Sequence, residues 1–325
     1  MHKIPKVMRA AAIDRFGGPE VLSIHSLPVP DLDTGEVLIA IHTAGVGVWD
    51  AEMREGRYSS GNERFPLVLG TDGAGTVVAS RINRFNVGDQ VYSYSFDNPK
   101  GGFYAEYVAV ASEKVAPKPE RLDLEHAGAI PTTGLTALQG IDDVLQVKKD
   151  ETLIIHGASG GVGSLAIQFA KRRGARVLAT ARGEEGLAFV RHLGADVAVE
   201  GRGDDIAAAA RFHAPDGTDA VLGLAGGDAL ERCIDTLRPG GRAAYPNGVQ
   251  PAPKERPGIK ITSYDAVAGI EEFERLNRAV EEADLKVPIA AAYALDHAAR
   301  AHERLAEGHV RGKIVLQVRG RPIVP

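Results

Sequence analysis

One cysteine, one tryptophan and three methionines are spread over 325 residues. A lone Cys233 permits no internal disulfide and no cysteine-rich zinc site, so the chain suits a reducing compartment and is expected in the cytoplasm. No run approaches the roughly 18 apolar residues that cross a bilayer, and no membrane partner is expected. The opening Met1-His2-Lys3-Ile4-Pro5-Lys6 lacks the apolar stretch and cleavage site of a secretory signal. A formal charge of −5 offers no broad basic face to nucleic acid. The ten histidines show no paired metal spacing. What remains is a globular composition, 44% hydrophobic and 25% charged, in a chain long enough for two domains. Two domains leave a cleft between them, and small molecules are the expected partners.

The first third reads as β-rich. Val37 to Thr43, Gly75 to Ser80, Gln90 to Ser93 and Ala105 to Ala109 are strand candidates punctuated by Gly17-Gly18-Pro19, Gly88-Asp89 and Gly101-Gly102. The texture changes near Leu124. From Thr152 onward, apolar runs alternate with helical patterns, as in βαβ units of a parallel sheet. The runs are Leu153 to His156, Arg176 to Thr180, Asp196 to Val199, Ala220 to Leu224 and Arg242 to Tyr245. Pro246 to Gly258 reads as a loop over the cleft, Glu271 to Asp284 and Leu295 to Gly308 as helices, and Lys313 to Val318 as a last strand. The termini are expected to pair in the β-rich domain, with the parallel sheet inserted between them.

Between the strand Thr152 to His156 and a helix beginning near Ser164 lies Ala158-Ser159-Gly160-Gly161-Val162-Gly163. A glycine-rich turn in this strand-to-helix context is a dinucleotide signal. Gly160 admits the pyrophosphate close to the backbone, Gly163 lets helix and strand pack, and free N–H groups at the helix start face negative charge. Ala158 stands where the first glycine of the pattern is usual. His156 reads as a packed strand-end residue rather than a catalyst. The second strand ends Ala179-Thr180-Ala181-Arg182, without the carboxylate that binds a ribose 2′-hydroxyl. Arg182 instead suits a 2′-phosphate, which favours NADPH over NADH.

These segments resemble the medium-chain dehydrogenase/reductase superfamily, and within it the zinc-independent quinone oxidoreductases that include zeta-crystallin. The resemblance is carried by Gly45-Val46-Gly47-Val48-Trp49-Asp50, Leu69-Gly70-Thr71-Asp72-Gly73-Ala74-Gly75, Val87-Gly88-Asp89-Gln90-Val91 and Gly102-Phe103-Tyr104-Ala105-Glu106-Tyr107. Ala129-Ile130-Pro131, His156 to Gly163, and Gly308-His309-Val310-Arg311-Gly312-Lys313-Ile314-Val315-Leu316 continue it. It implies an α/β architecture: a GroES-like β-rich catalytic domain from residues 1–126 and 269–325, a Rossmann doubly wound parallel-sheet domain from 127–268, and a homodimer.

The superfamily's zinc alcohol dehydrogenases carry a Cys where Gly47 stands and a His-Glu pair where Thr71-Asp72 stand. With those ligands and the four-cysteine lobe missing, no metal site is expected. Direct hydride delivery to an electron-poor acceptor remains, either a quinone or an enone or 2-alkenal. The resemblance places Tyr58 beside the substrate as a hydrogen-bond donor and Thr136 at the nicotinamide. Leu224, Ala225, Tyr245 and Asn247, at the ends of later strands, are expected near the nicotinamide ribose. Tyr92 and Tyr94 either line the substrate side or belong to the sheet, Asp50 reads as a hydrogen-bonding residue, and Cys233 as a buried helix residue. A non-catalytic role, crystallin-like or RNA-binding with the dinucleotide as a switch, is the reading from another class.

Overall fold

The structure is a computed structural model in which residues 4–61, 63–201 and 205–319 are described. Met1 to Lys3 of the opening segment and the last residues of the expected catalytic domain, 320–325, fall outside them. Two sheet systems organise the described residues.

The N-terminal system has a three-stranded antiparallel sheet, ordered Leu22–Pro28, Val7–Ile13, Leu67–Val68, and a seven-stranded one. Along the latter run Ile289–Ala294, Lys313–Gln317, Glu36–Val46, Asp72–Ser80, Gln90–Tyr94 and Val115–Pro117, while Tyr107–Ala111 also pairs with Glu36–Val46. Glu36–Val46 is its spine because its residues are almost all buried, as a strand covered on both faces must be. The C-terminal Lys313–Gln317 lies antiparallel to Thr43–Val46, so the last strand returns to the N-terminal β-rich system, while the first strand, Val7–Ile13, lies in its three-stranded sheet.

The second system is a six-stranded parallel sheet. In chain order its strands are Thr152–His156, Arg176–Ala181, Val197–Glu200, Thr218–Gly223, Leu237–Pro246 and Lys260–Tyr264. Their spatial order is third, second, first, fourth, fifth, sixth, the doubly wound dinucleotide-binding arrangement. The first and fourth strands are neighbours from which the chain departs in opposite directions. Such a switch point opens a crevice at the carboxyl ends of the strands.

The helix Pro131–Gln139, buried along its whole length, joins the two systems, with proline at its first turn where a missing N–H costs nothing. Leu135 shares one apolar cluster with Tyr92 of the antiparallel sheet, Ile155 and Phe169 of the parallel system, and Phe273 of helix Ile270–Ala283. A second cluster around Ile13, Ile39, Ile41 and Phe103 fills the antiparallel system.

Several elements differ from the sequence reading. The candidate strand Ala105 to Ala109 lies two residues later, at Tyr107–Ala111, and the helix expected from Leu295 starts as a 3₁₀ turn before Ala298–Ala306. Val7–Ile13 and Ile289–Ala294 escape a reading by pattern because each holds at least three alanines, a residue with no preference for strands. Pairing with neighbours sets their conformation instead.

Candidate functional site

A cavity of about 830 Å³ lies at the switch point between the two sheet systems, within the range of small-molecule clefts. One wall is the glycine-rich loop and the strand ends of the parallel sheet. The other comprises Val46 to Trp49, Glu52 and the segment Gly308 to Ile314.

The loop is shaped by backbone economy. Its left-handed residue is Gly157, at φ +78°, one position before Ala158, so alanine at 158 meets no conformational obstacle. Ala158 is fully buried and faces away from the cavity, beneath the helix. A Cβ on Gly163 would come within 2.6–2.7 Å of the Ala158 backbone, which makes Gly163 the contact where helix Gly161–Arg172 rests on the turn. Gly160, by contrast, has open space around it, its nearest obstacle being the Gly157 carbonyl at 3.6 Å. It caps the helix with no side-chain hydrogen bond, leaving the first N–H groups toward the cavity. Ser159, Gly160, Gly161, Val162 and Gly163 all line it. A bare helix start beside open glycine backbone fits a pyrophosphate.

Thr180 reaches the cavity wall, yet its hydroxyl braces the loop: Oγ1 accepts from the Gly157 amide at 3.1 Å and lies 2.8 Å from His156 Nδ1. Burial pulls His156 down to about 4, so the ring is neutral where it borders the cavity beside Thr180. Arg182 lines the same end of the cavity and donates to His309, from the opposite wall; Arg311, next to it, pairs with Glu185 at 2.8 Å. Glu200 is also there, with its carboxylate held by the Gly183 amide at 2.9 Å. Glu200, and His309 and Arg311 of the segment that carries the resemblance, reach the loop only through folding, whereas Gly157 stands in the loop itself, one residue before the Ala158 at which the pattern begins.

At the other end, Thr136 lines the wall while its hydroxyl donates to the Thr132 carbonyl at 2.8 Å. Thr132 also lines the wall, and its Oγ1 is buried without a hydrogen-bond partner. Leu224, Ala225 and Asn247 line the cavity, the Asn247 amide donating to Asp265 at 2.7 Å. The loop after Pro246 follows the cleft through Asn247 to Gln250 and then packs against Gly226.

Three expected residues are not on the wall. Ala158 lies beneath it. Tyr245 precedes Pro246, which does line it, and alternate strand residues face opposite sides. Tyr58 is 44% exposed; its hydroxyl donates to Glu52 at 2.8 Å and its ring stands edge-on to Phe96. Partial burial and the Glu52 carboxylate push the Tyr58 hydroxyl further up from the ordinary tyrosine range. Tyr92 and Tyr94 belong to the sheet, Tyr92 packing on Phe273 and donating to Asn277 at 2.6 Å. Cys233 is buried on helix Asp228–Ile234, which pushes its thiol up to about 12.

Behind Gly47 lies a buried polar cluster that spacing does not reveal. Asp50 and Asp72 are wholly buried, and the Lys313 ammonium stands 3.7 Å from Asp72 Oδ2. The same Asp72 oxygen accepts from the Thr132 amide at 3.0 Å, at the start of helix Pro131–Gln139. Asp50 Oδ2 accepts from the Gly47 amide at 2.8 Å and from the Tyr104 hydroxyl at 3.3 Å. Tyr104 Oη is 3.1 Å from His302 Nε2, and Arg54 Nη1 is 2.9 Å from His302 Nδ1. An arginine only donates, so Nδ1 is the acceptor, Nε2 carries the proton, and each hydrogen in the series points toward Asp50. Burial lowers His302 to about 3, consistent with a neutral ring. Burial foremost, then the Asp72 charge, raises Asp50 to about 7, against the opposing pull of Lys313. Among the described residues no group of three or more His, Cys, Asp or Glu is arranged to hold a metal ion.

Residues 33–120 match the family described as Alcohol dehydrogenase GroES-like domain, and residues 193–316 that described as Zinc-binding dehydrogenase. The human protein named Quinone oxidoreductase is 32% identical over 328 residues, covering 96% of this chain and 98% of its own. The chain belongs to the quinone oxidoreductase branch of the medium-chain dehydrogenase/reductase superfamily. It is an oxidoreductase with a GroES-like domain and a Rossmann-type sheet. An Arabidopsis thaliana member of the superfamily, NADPH-dependent alkenal/one oxidoreductase, is 31% identical, covering 96% of this chain and 80% of its own. A mycobacterial protein solved in complex with NADPH superposes with a TM-score of 0.86 at 29% identity, covering 95% of this chain and 99% of that one. The zinc in one family's description finds no counterpart in the donor set here: Gly47 and Thr71 supply no ligand, and an ammonium stands beside Asp72.

Proposed function

We propose that this oxidoreductase takes NADPH and, without zinc, reduces a quinone-type acceptor. The observation that carries the reading is Arg182 on the cavity wall, beside the glycine-rich loop, at a strand end that lacks a carboxylate. Ser159 to Gly163 hold the pyrophosphate through backbone N–H groups, Arg182 meets the 2′-phosphate, and Thr132, Thr136, Leu224, Ala225 and Asn247 border the nicotinamide half. Thr180 and Ala158 support the loop from behind. When bound, the dinucleotide supplies a hydride. The chain's residues align the acceptor between Trp49 and the threonine wall, and keep water from it.

The relative named for alkenals and enones supports a second reading, reduction of a conjugated double bond in the same cleft. Purified protein assayed for NADPH and NADH oxidation against p-benzoquinone, 2-alkenals, enones and simple aldehydes, with and without chelator, separates the two. Turnover of quinones with NADPH, insensitive to chelator, is expected. Preference for NADH, or loss of activity to chelator, overturns the cofactor assignment or the zinc-free reading. NADPH binding without turnover of any acceptor turns the assignment toward a binding protein. The division into residues 1–126 with 269–325 and 127–268, a homodimeric assembly and a cytoplasmic location rest on the family resemblance and the single buried thiol. Light scattering checks the assembly.

A further inference from the structure

Lys313 is the one lysine on the cavity wall among the described residues, and three features fix where its charge sits. It opens the strand Lys313–Gln317, whose preceding residue, Gly312, is bridged to Gly160 of the loop. Its stem passes over Gly45, where a Cβ would come within 2.8 Å of Lys313 Cε and collide with Asp72 Oδ1. Its ammonium ends beside Gly47, 3.5 Å from the place a Cβ would take, with Asp50 Oδ2 at 3.6 Å from that same point. Gly45 and Gly47 thus leave the space in which the Lys313 ammonium reaches Asp72 Oδ2 at 3.7 Å, with Asp50 near enough to feel its charge.

The charge count is uneven. Two fully buried carboxylates face one ammonium, the Arg54 guanidinium at the far end of the series being paired with Glu55 at 2.8 Å, and Asp50 Oδ1 and Asp72 Oδ1 each lack a hydrogen-bond partner. Leaving both ionised in a desolvated cluster is costly, so one retained proton brings the group to neutrality. Burial and the neighbouring Asp72 charge place that proton on Asp50, against the opposing donation of the Gly47 amide and the Tyr104 hydroxyl. The cluster therefore holds a cation at the cavity wall and a proton directly behind it.

We propose that Lys313 is the catalytic residue that receives the charge developing on the acceptor oxygen, with Asp72 and Asp50 as its positioning residues. This rests on the reductase reading above. As hydride from the reduced nicotinamide adds to the conjugated acceptor, the displaced π pair collects on a carbonyl oxygen. A Lys313 N–H bond breaks and an O–H bond forms on that oxygen, leaving a neutral amine. The amine regains its proton from solvent once the product has left the cavity, which Lys313 borders. Hydride and proton together supply the two electrons and two hydrogens of the reduced product. An ammonium in a site closed to water stabilises such an oxyanion without a metal.

The test uses p-nitrophenol as a stand-in for the oxyanion, bound to the full-length protein loaded with NADP⁺. Its absorbance reports ionisation without any turnover. Wild type is expected to favour the phenolate by about tenfold or more over the neutral phenol, one unit of apparent pKa. Lys313→Met is expected to lose that preference while retaining NADPH binding, and Lys313→Arg to keep it while losing proton transfer, seen as a slower rate that no longer varies with pH. Equal ionisation of the bound phenol in wild type and Lys313→Met overturns the proposal. So does weakened NADPH binding as the sole effect of Lys313→Met, which assigns the lysine to the dinucleotide. Wild type inert toward every acceptor would sink the reductase reading, whereas an active wild type matched in rate by Lys313→Met sinks only this one.

Discussion

The Gly312 amide donates to the Ser159 carbonyl at 2.9 Å, tying the last strand of the seven-stranded sheet to the glycine-rich loop of the parallel one. Gly312 holds φ at +99°, and a Cβ there would press on Pro288, its side-chain Cβ at 2.8 Å. Gly312→Ala should therefore cost about 1–3 kcal/mol of stability from backbone strain and crowding. It should also weaken NADPH binding, because the loop loses its tie across the cleft. Urea unfolding and quenching of the dinucleotide's fluorescence measure the two effects. Unchanged values for both would show that the tie is slack.

On the proposed reading Arg182 meets the 2′-phosphate, at a strand end without a carboxylate of its own, while the nearby Arg311 is paired with Glu185. Removing a charge-assisted contact of this kind loses about 1.5–3 kcal/mol, or roughly 10- to 100-fold. Arg182→Ala should lower kcat/KM for NADPH by that factor and leave the value for NADH within about twofold. An equal loss with both cofactors would mean that Arg182 acts through its contact with His309 rather than on a 2′-phosphate.

Asp50 couples folding to pH. Its carboxyl is raised to about 7 by burial and by Asp72, against Lys313, the Gly47 amide and Tyr104, and unfolding returns it to the ordinary range near 3.8. Between those values the native state binds a proton that the unfolded state has released, so this group's contribution to stability falls as pH rises from about 4 to 7. His156 and His302, lowered to about 4 and about 3, act in the opposite sense. Both histidines are present in Asp50→Asn as well, so the difference between wild type and variant isolates the aspartate. That difference in unfolding free energy should shift against wild type across the interval. A flat or rising difference in denaturant titrations would contradict the raised carboxyl.

The parallel sheet was legible because its strands are short apolar runs separated by helical periods, and the loop because glycines sit between two such elements. Ala158 and Tyr245 show the limit: each is one residue from a position that lines the cavity, Ser159 or Pro246, and spacing does not say which face a residue takes. The Asp50, Asp72, Tyr104, His302 and Lys313 cluster was illegible for another reason. Its members come from distant parts of the chain and meet only when strands pair, as Ile314 with Val46, and the helices that carry Asp50 and His302 pack on them. The available signal was charge out of place: Asp72 and Lys313 each open a strand whose following residues are mostly small or apolar.

Tyr58 puts the resemblance and the geometry in direct opposition. As the expected donor to the acceptor oxygen, it would have to aim its hydroxyl into the cleft. The hydroxyl is instead given to Glu52, whose other oxygen lies 3.2 Å from Arg57. Glu52 itself lines the cavity, so Tyr58 holds a wall residue from outside. Tyr58→Phe keeps the ring against Phe96 and removes one partly exposed hydrogen bond, worth about 0.5–1.5 kcal/mol. A freed Glu52 shifts acceptor binding rather than the reaction, so KM should change by up to about tenfold while kcat stays within about twofold. The solvent isotope effect on kcat should match that of wild type, since no proton in flight has been removed. A fall in kcat of about 100-fold with KM unchanged would return the donor's role to Tyr58 and require this segment to close over the acceptor during turnover.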